Sequence, residues 1–243
     1  MRIEIAMRPT TLPLLGLARL HHPAEKDACQ TQLHHAARDI SFFYLTFHGI
    51  KDALQQAVQR EARRFFALDP EQKQQVAMIH SPHFRGYNRA ASELTRGQPD
   101  WREQFDIGAE RPALLLGNSD PWWQRLQGPN LWPDAQPTLR PALLAWQQAM
   151  TDMAITLLRA FAESLQLTPD AFDALYGEKP NEHITLIRYP GREQTGSAQG
   201  VRAHKDSGLL SFPLQDHQKG LQVEVSSENW IDVTPLAASF AVN

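Results

Sequence analysis

Residues 200–214 read "GVRAHKDSGLLSFPL", a histidine and an aspartate one residue apart, followed by a glycine and an apolar run. If this stretch is a strand, positions i and i+2 point to the same face, so His204 and Asp206 face one way and Lys205 the other. One imidazole and one carboxylate on a shared face are two members of the facial triad that suits non-haem Fe(II) and leaves positions open for substrates. The spacing by itself leaves two readings open: a metal-binding edge, or a polar turn leading into a strand.

Working outward, the runs "HITLIRYP" (183–190), "GLLSFPL" (208–214), "GLQVEV" (220–225), "WIDVTP" (230–235) and "SFAVN" (239–243) are short, strand-like and separated by turn residues. Such spacing predicts a sandwich or barrel of the jelly-roll kind. Upstream the pattern changes. Residues 24–39 and 51–67 read as helices, the second with Leu54, Val58, Phe65 and Phe66 on or near one face. Between them "SFFYLTFHGI" (41–50) reads as a strand closing on a turn. Asp69-Pro70 and Thr168-Pro169 each offer an N-cap and a first-turn proline for a following helix.

From Pro137 to Leu165 apolar residues fall at 143, 146, 150, 153, 157, 161 and 165, the period of a long amphipathic helix. Residues 80–135 are rich in Pro, Gly and Asn and show little periodicity. They hold Trp101, Trp122, Trp123 and Trp132, which favours ordered loops over a pocket. The expected fold class is α+β, a double-stranded β-helix (jelly-roll) core, incomplete at the C-terminus, with a mainly helical N-terminal region. Its expected divisions are 1–136, 137–182 and 183–243.

A net charge of -3 gives no basic excess for a nucleic acid or an acidic membrane surface, so a small molecule is the expected ligand. The single cysteine, Cys29, excludes an intramolecular disulfide and a cysteine metal cluster, and reads as a small buried apolar residue. The first twenty residues carry charges at 2, 4 and 8 and lack the apolar core of a signal peptide, and no apolar run is long enough to cross a bilayer. A cytoplasmic protein is expected.

Taken together, "LIRYP", "HKDSGLLSFPLQD", "GLQVEV", "NWIDVTP" and "SFAVN" resemble the isopenicillin N synthase-like branch of the Fe(II)/2-oxoglutarate oxygenases. Upstream, "LPLLGLARL", "FFYLTFHGI", "ARRFFALDPEQK", "FRGYNRAASE" and "NLWPD" are similar to the region that precedes the core in that family, so the resemblance runs in order over residues 11–243. It implies a non-haem iron dioxygenase in which His204 and Asp206 are iron ligands and Tyr189 contacts cosubstrate or substrate. It implies that Arg85 and Tyr87 line or hold the substrate, a role in which a guanidinium suits a carboxylate by donating two parallel hydrogen bonds. The implied cofactors are Fe(II) and 2-oxoglutarate, with ascorbate a further candidate. The implied partners are O2 and a small organic substrate, which would be hydroxylated, desaturated or cyclised.

The family supplies a second histidine and a 2-oxoglutarate-binding arginine from later strands. After Asp206 the sole histidine is His217, in the polar "QDHQKG", and after Ser207 there is no arginine. Impaired Fe(II) binding, a sheet edge inviting self-association and a shortened form of a longer enzyme are therefore expected. Two other functions compete: a non-catalytic binding protein on the same fold, and a zinc hydrolase built on His204, Asp206 and His217.

Overall fold

The computed structural model describes residues 10–191, 199–226 and 229–243, so the first nine residues of the leader reading lie outside the described residues. In chain order the strands are β1 (Leu14–Gly16), β2 (Phe43–Thr46), β3 (Gly86–Asn88), β4 (Leu94–Thr95), β5 (Gln98–Pro99), β6 (Glu103–Gly108), β7 (His183–Arg188), β8 (Gln222–Ser226), β9 (Asn229–Asp232) and β10 (Ser239–Val242). The α-helices are α1 (Pro23–His35), α2 (Asp52–Phe66), α3 (Pro70–Gln74), α4 (Leu139–Ser164) and α5 (Asp173–Tyr176). Among the described residues no helix is long and apolar enough to cross a membrane. Contacts divide the chain into two units, one from the ranges Met1–Ile50, Asp152–Leu175 and Asp206–Asn243, the other from Lys51–Thr151 and Tyr176–Lys205.

In the first unit β2 is the central strand, parallel to β1 and antiparallel to β10. All four residues of β2 and of β10 are buried, so both strands read as short apolar runs. Phe43 packs edge-on against Phe161, with ring centroids 6.3 Å apart. Helix α1 is tied down by Glu163, whose two oxygens accept from Lys26 Nζ at 2.8 Å and Gln30 Nε2 at 2.7 Å. The β8–β9 hairpin contributes Val223 and Ile231 to a cluster with Leu12, Tyr44, Val233 and Ala241. Each such aliphatic side chain contributes about 1.5–3 kcal/mol by leaving water. The Tyr44 hydroxyl donates to the Thr234 carbonyl at 2.7 Å, which lets the phenol sit among apolar neighbours.

Two expectations fail in this unit. "GLLSFPL" is not a strand: Ser211 and Asn243 exchange backbone hydrogen bonds at 2.8 and 3.3 Å, and Ala241 donates to Pro213 at 3.1 Å, but no ladder continues. Pro213 has no N–H to return the bond, and Gly208 at φ 99° turns the chain out of extended geometry. After Thr168-Pro169, isolated three-residue turns (Ala171 to Thr168, Asp173 to Asp170) precede α5, so the helix starts later than its proline signal.

In the second unit β6 is the central strand, antiparallel to β3 and to β7. Helix α2 buries Val58, Phe65 and Phe66, and Phe65 sits 4.5 Å from Phe105 of β6, ring centre to ring centre. Asp69 and Gln72 form a reciprocal capping box that starts α3 at Pro70, as the sequence predicts. The stretch 80–135 holds four strands, including the fully buried six-residue β6. Its polar residues Glu103, Gln104 and Asp106 hide it from an apolar-run reading.

Candidate functional site

Strand alternation sorts β6 into two faces. Glu103, Phe105 and Ile107 share one face, Gln104 and Asp106 the other. Glu103 stands opposite Arg188 in β7 and accepts from its Nη1 at 2.8 Å, from Lys73 Nζ at 3.1 Å and from the Tyr87 hydroxyl at 2.6 Å. Asp106, opposite Thr185, accepts from the Thr185 hydroxyl at 2.6 Å and from Gln104 Nε2 at 2.9 Å, and lies 2.9 Å from His183 Nε2. Gln104 Nε2 also donates to Glu93 at 3.0 Å, where Asn88 donates at 2.9 Å. Burial pushes the Glu93 carboxyl above its usual value, with Arg102 opposing.

Past β7 the chain continues into Tyr189 and Pro190, and Trp101 meets this end twice. Its indole Nε1 donates to the Pro190 carbonyl at 2.8 Å, and its backbone N–H donates to the Gly200 carbonyl at 2.6 Å. Gly200 lies against the Tyr189 ring: a Cβ there would overlap Cδ1 and Cε1. Tyr189 is 52% exposed, yet desolvation by its surroundings raises its phenol, while Arg102 pulls the other way.

His204 and Asp206 are both exposed and lie in coil, not in a strand, so alternation no longer places them on one face. His204 Nδ1 stands 2.8 Å from the Arg202 carbonyl oxygen. A carbonyl only accepts, so Nδ1 donates to it, the kind of contact by which a backbone carbonyl orients a metal-binding imidazole. An imidazole and a carboxylate are donor types that suit non-haem Fe(II). Among the described residues no three His, Cys, Asp or Glu side chains gather where they could hold one metal ion, which removes support for a His204, Asp206 and His217 zinc centre. His217 is exposed in a bend.

Arg85 and Tyr87 are buried, 4% and 6% exposed. The Arg85 Nη atoms donate to the carbonyls of His83, Phe84 and Leu126 at 3.0–3.2 Å, and its guanidinium covers Gly108, where a Cβ would collide with it. These contacts hold Nη1 and Nη2 against backbone carbonyls, while the buried Nε has no hydrogen-bond partner among the described residues. Desolvation lowers its pKa, with the Asp106 charge opposing. Burial and the bond to Glu103 hold the Tyr87 phenol well above its ordinary range.

Sequence alone names Trp101 only as one of four tryptophans in an irregular stretch, and does not single out Gly200 or the polar residues of β6. The available signal is the alternation in "EQFDIG", where polar residues interleave with Phe105 and Ile107. Trp101 has no comparable signal, because its partners are remote in the chain.

Two family descriptions match the chain in order: "non-haem dioxygenase in morphine synthesis N-terminal" over residues 12–135 and "2OG-Fe(II) oxygenase superfamily" over residues 181–243. A 2-oxoglutarate-dependent dioxygenase of Dothideomycetidae sp. is 34% identical over 236 residues, covering 96% of this chain and 63% of the relative. A homoarginine-6-hydroxylase of Arabidopsis thaliana is 32% identical over 217 residues, covering 87% and 64%. The chain therefore spans just under two thirds of the length of these relatives. The crystal structure of a full-length Neurospora crassa protein in complex with alpha-KG superposes with a TM-score of 0.80 at 24% identity, covering 96% of this chain and 72% of that one, a likeness of fold.

Proposed function

The chain belongs to the 2OG-Fe(II) oxygenase superfamily, and from that membership we propose that the protein oxidises a small organic substrate with O2, Fe(II) and 2-oxoglutarate. In this reading residues 183–243 are part of a double-stranded β-helix core, behind a region 1–136 and a connector 137–182. His204 ligates iron through Nε2 and Asp206 through its carboxylate, while Tyr189 contacts 2-oxoglutarate or substrate. Arg85 and Tyr87 line or hold the substrate in the same reading. Bound Fe(II) and 2-oxoglutarate supply the oxidation of an unreactive C–H bond; the chain ligates, orients and excludes water. A cytoplasmic location belongs to the same reading.

The observation that carries this proposal is the match over residues 181–243, which contains the imidazole and carboxylate of His204-x-Asp206. Hydroxylation is the first outcome to assay, as the name of the Arabidopsis relative suggests. Anaerobic titration of the 243-residue chain with Fe(II) tests the ligands directly. Two protein donors hold the ion weakly, and His204→Ala and Asp206→Ala each weaken it by about 10-fold or more. Equal affinity in all three proteins would overturn the assignment.

A further inference from the structure

His204 is exposed and lies in coil, so something other than a strand ladder must set where its imidazole ring stands. The second unit contains a chain of contacts that can do this. Trp101 immediately precedes Arg102 and the buried strand β6, and is anchored with it. Its backbone N–H holds the Gly200 carbonyl and its indole holds the Pro190 carbonyl, so one residue fixes both positions. Gly200 in turn rests on the Tyr189 ring, an approach that only a residue without a Cβ allows. Two residues further on, the Arg202 carbonyl accepts from His204 Nδ1 and orients the ring.

We infer that Trp101, acting through Pro190 and through Gly200 on the two sides of Tyr189, is a positioning residue for His204, and that it tunes metal affinity without touching the metal. This inference rests on the proposed role of His204 as an iron ligand. A ligand held in place before the metal arrives loses less conformational freedom on binding, so loosening the clamp weakens affinity while leaving the donor atoms unchanged. Partners behind a ligand typically change metal affinity by about 10-fold to 100-fold when removed.

Anaerobic Fe(II) titration without 2-oxoglutarate is the test, with thermal unfolding run on the same samples. Trp101→Phe keeps an aromatic ring and deletes the indole donor; affinity falls about 3-fold to 10-fold, the worth of one hydrogen bond, with the unfolding midpoint nearly unchanged. Gly200→Ala drives a methyl group into the Tyr189 ring and weakens binding by about 10-fold or more. In Gly200→Ala/Tyr189→Ala the obstruction is gone, and affinity returns to within about 3-fold of Tyr189→Ala alone, a coupling that independent sites would not show. If His204→Ala weakens Fe(II) binding but Trp101→Phe and Gly200→Ala do not, the clamp is refuted while the ligand assignment stands. If His204→Ala changes nothing, the ligand assignment itself fails. Loss of affinity in Gly200→Ala that Tyr189→Ala does not relieve also overturns the inference.

Discussion

Strand β6 and residues 204–208 treat polar side chains in opposite ways. In β6 every residue is buried, and Glu103, Gln104 and Asp106 meet partners at 2.6–3.1 Å. Across 204–208 every residue is exposed and none is in a strand. A buried polar group must be satisfied when the chain folds, so its partners belong to the stability of the protein. An exposed imidazole or carboxylate carries little of that cost and can be committed to a ligand. The contrast predicts that changes in β6 act on stability and changes at His204 or Asp206 act on metal binding.

The largest effect is expected at Glu103. Replacing it by Leu strands the buried ammonium of Lys73, whose side chain is 10% exposed, and should cost about 3–5 kcal/mol in urea unfolding. A loss under about 1 kcal/mol would break the contrast. Asp106→Ala leaves the Thr185 hydroxyl without its acceptor and Gln104 Nε2 with Glu93 alone, and should cost about 1–3 kcal/mol by the same measurement.

A smaller effect is expected at Thr138, whose hydroxyl donates to Glu61 at 2.6 Å. That bond is the leading reason the Glu61 carboxyl lies below its usual value, desolvation opposing and Gln136 and Arg64 assisting. A folded pKa below the unfolded one, about 4.3, means the stabilisation is complete above that pH and is lost as pH falls through the folded value. Thr138→Val should cost about 1–2 kcal/mol at neutral pH and flatten this acid-side loss, as read from unfolding midpoints between neutral and acid pH. The smallest effect on stability is at His204, where Ala should stay within about 0.5 kcal/mol of the parent.

The same contrast explains what the sequence disclosed. Helix α4 was legible because Leu143, Trp146, Met153 and Leu157 recur with helical period and are buried. Strands β2, β7, β8, β9 and β10 were legible because their runs are short and rich in strand-forming residues between turns. Strand β6 was not, because its buried carboxylates Glu103 and Asp106 accept from Lys73, Tyr87, Thr185 and Arg188, partners that only the folded chain brings together. At His204 and Asp206 the donor chemistry was legible but the conformation was not: Pro213 and Gly208 stop the expected strand. The burial of Arg85 against backbone carbonyls is something that "FRGY" does not announce.

The most direct test measures two quantities on one sample of His204→Ala: the free energy of urea unfolding and the anaerobic affinity for Fe(II). The account predicts unfolding within about 0.5 kcal/mol of the parent and affinity lower by about 10-fold or more. A variant that binds Fe(II) as the parent does, or that unfolds as easily as Glu103→Leu, would contradict it.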